Sequence, residues 1–285
     1  LYTRLNNSPQ IKNFVNLKKD ALPRFYNSNS RIMASGTQQP AFVFGLELSW
    51  QTLVYYQELF SLLDAVARED FNPAVGGRLL MGLDGLIQYA REVNYVFSVY
   101  YNPFTRQPVV FQESPGLGAI REPWSVGSYC YILVRAYELT GESRYLVEAQ
   151  TAMAALMNTM TYTEANSFYT ATYSDPFEMP VMELMGNSYG AVAAAKLHRL
   201  TNDPKYLTYQ RDFLNVLLRM TTWFEDQTDT RSRDVRSLGL FYPFVAAPTP
   251  TAWETAEANL CLAWLLKNDR TNSRAPLLAR LSNLN

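Results

Sequence analysis

Cysteine and histidine are nearly absent from this 285-residue sequence, which holds only Cys130, Cys261 and His198 of those two types. Three such residues are a poor ligand supply for a metal centre, so no metal is expected. Both cysteines fall inside apolar helix patterns and read as buried free thiols. His198 falls late in a helical segment and reads as a turn-side surface or packing residue. Charge is also scarce. Charged residues make up 18% and the net charge is −1, which argues against nucleic acid or an acidic membrane surface as the main partner. No apolar run approaches the roughly 20 residues that a bilayer span requires. Gly116-Leu117-Gly118 follows Pro115 with no strand before it in a βαβ pattern and no Lys after it, so it is not a phosphate loop, and no cofactor is expected. Gly76-Gly77 reads as a turn. The first residue is Leu1 rather than Met, so the sequence is silent about a leader segment.

What is present is apolar and aromatic. The apolar fraction of 48% supports a sizeable core, in one large domain or two small ones. Nineteen Tyr and fifteen Phe beside so few charges suit a secreted or periplasmic protein that contacts sugars. An internal repeat carries more information. Trp124 to Met157 contains Gly127 and Tyr129, then Leu139-Thr140-Gly141-Glu142-Ser143-Arg144-Tyr145-Leu146. Glu183 to Met220 contains Gly186 and Tyr189, then Leu200-Thr201-Asn202-Asp203-Pro204-Lys205-Tyr206-Leu207. Each unit reads as helix, tight polar turn, helix. A helical hairpin cannot bury its own apolar face and must stack on others.

Residues 1–40 are polar and irregular and read as an N-terminal arm; residues 41–285 read as the helical-hairpin domain. Helical periodicity from Gly45 to Arg68 is broken at Asp70-Phe71-Asn72-Pro73 and resumes from Gly77 to Phe97. Four prolines between Tyr100 and Pro123 exclude a long helix there, and Val109-Val110-Phe111 suits a short strand. The second hairpin is predicted at Ser125–Leu139 and Ser143–Met157, and the third at Glu183–Leu200 and Asp203–Phe224. A fourth unit begins at Thr251–Lys267. Gly141 and Asn202 suit the left-handed conformation that closes a helix, Ser143 and Asp203 suit N-caps, and Pro204 suits a first helical position.

Turns within hairpins are short, and connections between them are long. The long connections then share one end of the stack with the N-termini of the first helices. Loops held on a rigid scaffold carry function, and helix N-termini suit anionic groups.

The paired turns resemble the L-T-G-D-x-x-Y-L turns of the six-hairpin (α/α) toroid glycosidase superfamily. Trp253-Glu254-Thr255-Ala256-Glu257 is similar to the W-x-x-A-E runs of its epimerase-like members. The resemblance runs from about Gly45 to Lys267. It implies an all-α fold of stacked helical hairpins, a toroid or an incomplete one, since four hairpins are legible where the family has six. It also implies a carbohydrate-active enzyme. The absence of an Asp-Asp-x-x-Asp cluster argues against terpene-cyclase-type barrels.

Glycoside hydrolysis needs two carboxyl groups. At the loop end these are Glu122 with Glu254 or Glu257, the latter two sharing a helix face at i, i+3. The same residues in a first turn also serve as plain helix caps. A uronate lyase would use Asn187 and Tyr189, with Arg121 as the electrostatic partner. Trp124, Trp253 and Tyr129 are candidate sugar platforms, and Glu183 a further binding residue. Trp223 and Tyr242 are weaker platforms, since aromatics at helical spacing more often fill cores. Asp175 and Glu178 fall in a long connection beside the same end. Arg231-Ser232-Arg233-Asp234-Val235-Arg236 reads as a solvated loop. The sequence favours a hydrolase acting on a polysaccharide or oligosaccharide; a lyase and a non-catalytic helical-repeat binding module are the alternatives.

Overall fold

The two repeated turns close their helices by the same chemistry. Gly141 adopts φ +70° and Asn202 φ +56°, and their N–H groups donate to the Tyr137 and His198 carbonyls at 2.8 and 2.7 Å. In each turn the preceding threonine bonds back one helical turn. Thr140 Oγ1 donates to the Ala136 carbonyl at 2.8 Å and Thr201 Oγ1 to that of Leu197 at 2.7 Å. Each hydroxyl then accepts from the N–H two residues on, Glu142 at 3.1 Å and Asp203 at 3.3 Å. Pro204, expected at the first helical position, is the N-cap of the next helix and has no side-chain cap bond, while Asp203, expected as the cap, stands one residue earlier and accepts from the Lys205 N–H through Oδ1 at 3.0 Å. His198 braces this turn, its Nδ1 lying 3.1 Å from the Asp203 carbonyl.

These features come from a computed structural model, which describes residues 31, 47–48, 73–98, 100–102, 105–107, 121–122, 125–162, 169–171, 184–221, 252–268 and 276. Its helices are α1 (Pro73–Glu92), α2 (Ser125–Thr140), α3 (Ser143–Thr159), α4 (Leu184–Thr201), α5 (Lys205–Arg219) and α6 (Ala252–Asn268). The chain divides into two compact units, Leu1–Arg121 and Glu122–Asn285. The arm boundary expected at residue 40, the helix expected from Gly45 and the strand expected at Val109 lie outside the described residues.

In the first unit, α1 starts at Pro73 rather than after it. Proline is tolerated at a first helical position because its missing N–H has no intrahelical partner anyway. Gly76 and Gly77, read as a turn, are therefore helical, at the roughly 1 kcal/mol per residue that glycine costs. The helix also ends five residues short of Phe97. Asn94 and Tyr95 turn left-handed, at φ 52° and 61°, and the Tyr95 N–H closes on the Ala90 carbonyl at 2.7 Å. Glu47–Leu48 pairs antiparallel with Tyr100–Tyr101. Tyr101 stacks on Tyr89 of α1 at 4.9 Å between ring centroids.

In the second unit, α4 is the central helix, packing against α2, α5 and α6. Its small residues allow this. Gly186, Gly190, Ala191, Ala193, Ala194 and Ala195 are all buried. The core around it holds Tyr129, Ile132, Leu133, Ala136, Tyr206, Phe213, Leu217, Leu262 and Leu265. The connection after α3, expected as loop alone, contains an antiparallel ribbon of Met160–Tyr162 with Tyr169–Ala171.

Candidate active site

Helices α2 and α4 each open a hairpin of the second unit, and two layers of side-chain contacts tie them to each other and to α6. In the upper layer, Tyr189 of α4 donates its phenol to Glu257 Oε2 of α6 at 2.5 Å, and its ring meets Tyr131 of α2 at 4.8 Å, tilted by 52°. In the lower layer, Lys196 of α4 donates to both carboxyl oxygens of Glu138 on α2, at 2.7 and 2.9 Å. Its Nζ also lies 4.6 Å from the ring centre of Trp264 on α6. Within every helix the lower residue follows the upper by seven: Tyr131 and Glu138, Tyr189 and Lys196, Glu257 and Trp264. Seven residues are close to two turns, so both members share a face about 10 Å apart along the axis. Matching pairs at two depths require the three helices to run parallel, so their N-termini share one end, as the loop lengths imply. The Tyr131–Tyr189–Glu257 layer lies nearest that end.

Tyr189 is half-buried, and burial is the main reason its phenol is pushed far up from the ordinary value, with Cys261 and Glu257 adding to the shift. It therefore keeps its proton and acts as a donor. Glu257 is half-buried and accepts that donation, with Glu254 half-buried one turn earlier. Cys261, one turn after Glu257, is a buried free thiol, as is Cys130; burial pushes both thiols up. Burial lowers Lys196 from the ordinary amine value, partly opposed by Glu138.

Other sequence candidates fall elsewhere. Tyr129, expected as a sugar platform, is fully buried, and its hydroxyl donates to buried Glu148 of α3 at 3.3 Å. It packs the hairpin and presents no ring face to a sugar. Asn187 is 1% exposed. Two residues apart on a helix, Asn187 and Tyr189 cannot share a face, so they do not form the joint site a lyase would need. Arg121 and Glu122 form a two-residue strand of which only the backbone is described. Trp253 lies in the first turn of α6, its side chain outside the description. Trp124, Glu183, Asp175, Glu178, Trp223, Tyr242, the Gly116 segment and the Arg231–Arg236 run are likewise outside the described residues. Among the described residues no group of three or more His, Cys, Asp or Glu side chains could hold a metal ion, and no helix is long and apolar enough to cross a membrane.

Sequence reasoning missed Tyr131 and the whole lower layer, whereas Cys261 is the buried free thiol expected. The available signal was the shared seven-residue spacing, which becomes visible only once α2, α4 and α6 are known to be neighbours.

No protein family and no curated protein matches this sequence significantly. Solved structures do match in fold. A D-mannose isomerase superposes with a TM-score of 0.63 at 14% identity, covering 93% of this chain and 68% of its own. A family 76 glycoside hydrolase (mannosidase) from Bacteroides thetaiotaomicron gives 0.60 at 14% identity, covering 95% and 69%. The unsaturated glucuronyl hydrolase of Bacillus sp. GL1 gives 0.50 at 12% identity, covering 82% and 65%. All are six-hairpin (α/α) toroid enzymes, and this chain has that all-α toroid fold over about two-thirds of their length.

Proposed function

We propose that this protein is a carbohydrate-active enzyme, a glycoside hydrolase acting on a polysaccharide or oligosaccharide outside the cytoplasm. The observation that carries the reading is the 2.5 Å bond from Tyr189 to Glu257 near the N-terminal end of three parallel helices. A protonated phenol on a carboxyl oxygen fixes that group's orientation and suits Glu257 to accept a proton from attacking water, or to face the positive charge that develops on a sugar ring. Glu254 on the same helix, or Glu122 at the entrance to α2, supplies the second carboxyl group. Trp124, which directly precedes α2 in sequence, and Trp253 in the first turn of α6 serve as stacking platforms, and Glu183 completes the binding groups. The toroid neighbours support the carbohydrate reading, since they include a mannosidase, a mannose isomerase and a glucuronyl hydrolase.

β-Elimination fits less well. A tyrosine base must ionise readily, whereas among the described residues no cation bonds the Tyr189 hydroxyl, and burial holds its proton in place. The test is incubation with neutral and uronic-acid polysaccharides and free mannose, following reducing ends, unsaturated-uronate absorbance and ketose. Reducing ends alone, falling by about 10³-fold or more in Glu257→Gln, are expected. Uronate absorbance would assign a lyase, ketose an isomerase, and silence on every substrate a binding module.

A further inference from the structure

Lys196 repeats, seven residues further along α4, the bridging geometry of Tyr189. Each reaches α2 on one side and α6 on the other, and the α2 and α6 partners keep the same seven-residue spacing. Lys196 is only 6% exposed, an unusual place for a charge. Its surroundings answer for it from both sides, with both Glu138 oxygens on α2 and the face of Trp264 on α6. Arg135 also bonds Glu138. A sliding or rotation of any one helix against α4 breaks one arm of this contact and leaves a buried ammonium short of an interaction.

Buried ion pairs are a weak source of stability. Apolar replacements of similar volume are often neutral or stabilising, whereas in some proteins the buried polar group fixes register. Glycine and alanine along α4 offer little steric register of their own, because small side chains slide past neighbours that large ones would lock.

We infer that Lys196 is a positioning residue: a clamp that sets the register of α2, α4 and α6, and so holds Tyr189 on Glu257 about two helical turns away. The inference deepens the reading of Tyr189 and Glu257 as the working pair, but its test makes no use of activity, so either can fail alone.

The test uses the whole protein. The phenol proton of Tyr189, held on a carboxyl group and partly shielded from water, should give a low-field proton resonance, assigned by its disappearance in Tyr189→Phe. The key variant is Lys196→Met/Glu138→Gln, in which the amide at 138 still accepts from Arg135. Its urea midpoint should equal or exceed that of the parent, while exchange of the Tyr189 proton with water speeds by at least about tenfold as the bond opens more often. An unchanged resonance overturns the clamp. So does a resonance lost together with a fall in the midpoint, which would make Lys196 an ordinary stabilising contact. A parent protein without the resonance lacks the bond the clamp is said to hold, and overturns it too. Should the double variant fail to fold, Trp264→Leu cuts only the α6 arm. Faster exchange at an unchanged midpoint is then expected, and unchanged exchange, or a fallen midpoint, overturns the clamp.

Discussion

Gly127 of α2 and Gly186 of α4 meet backbone to backbone. A Cβ built on Gly127 would fall 2.1 Å from the Gly186 carbonyl oxygen and 3.1 Å from the Gly190 Cα. These are the first glycines of the two repeated units, so the repeat is also the contact. The obstacle is backbone of a central helix, which cannot rotate away as a side chain would. Gly127→Ala should therefore force α2 off α4 and cost about 3 kcal/mol, the upper part of the range for overpacking. Urea unfolding of the variant measures it; a loss below about 1 kcal/mol would show that the helices separate without cost.

Gly141 presents the opposite case. Nothing lies within 4 Å of a Cβ placed there, and only its φ of +70° demands glycine. Gly141→Ala should cost about 1–2 kcal/mol, from left-handed strain alone. Gly141→Asn should cost clearly less, because Asn202 already holds the equivalent position of the second repeat at φ 56°. Equal losses in the two variants would place the cost in the space around residue 141 rather than in its backbone.

These turns mark what the sequence made legible. Helix ends are set by local chemistry, and the Thr-Gly and Thr-Asn closures and the hairpins they delimit follow from residue type. Pro73 shows the limit of local reading, because proline both breaks and opens helices and only the following turn decides. The candidate site was legible in part. Tyr189, Glu254 and Glu257 could be singled out because the loop-bearing end is deducible from connection lengths. Their pairing could not, since sequence separation gives no hint that α4 meets α6 at equal depth. Asn187 and Tyr129 failed as candidates for one reason. Position near a helix start says nothing about which face turns to the core, and both side chains turn inward.

Tyr129 offers a direct check on that correction. Its hydroxyl donates to Glu148, a carboxyl group only 3% exposed. Tyr129→Phe removes this donor and keeps the ring, and should cost about 1.5–3 kcal/mol, the worth of one hydrogen bond to a charged group. Carbohydrate affinity, measured by calorimetry with the substrate that proves active, should stay unchanged. A variant of parental stability with weakened binding would restore Tyr129 to the sugar platform.

Stability at alkaline pH should report the two thiols. Burial raises Cys130 and Cys261 above the ordinary value of 9.0, so above that pH the unfolded chain releases two protons that the folded chain keeps. Fewer protons are then bound to the unfolded state than to the folded state, and stability falls as pH rises. The contribution is fully present below pH 9 and is lost above it, by up to about 1.4 kcal/mol per pH unit for each group. Tyr189, raised from 10.0, steepens the decline above pH 10. Urea midpoints measured from pH 7 to 11 should therefore drop from near pH 9. In Cys130→Ala/Cys261→Ala the midpoint at pH 7 should be lower, because two buried side chains are truncated, but the curve between pH 9 and 10 should be flatter. Parallel curves for the two proteins would mean that the thiols ionise as readily folded as unfolded, and that α2 and α6 do not shield them from water.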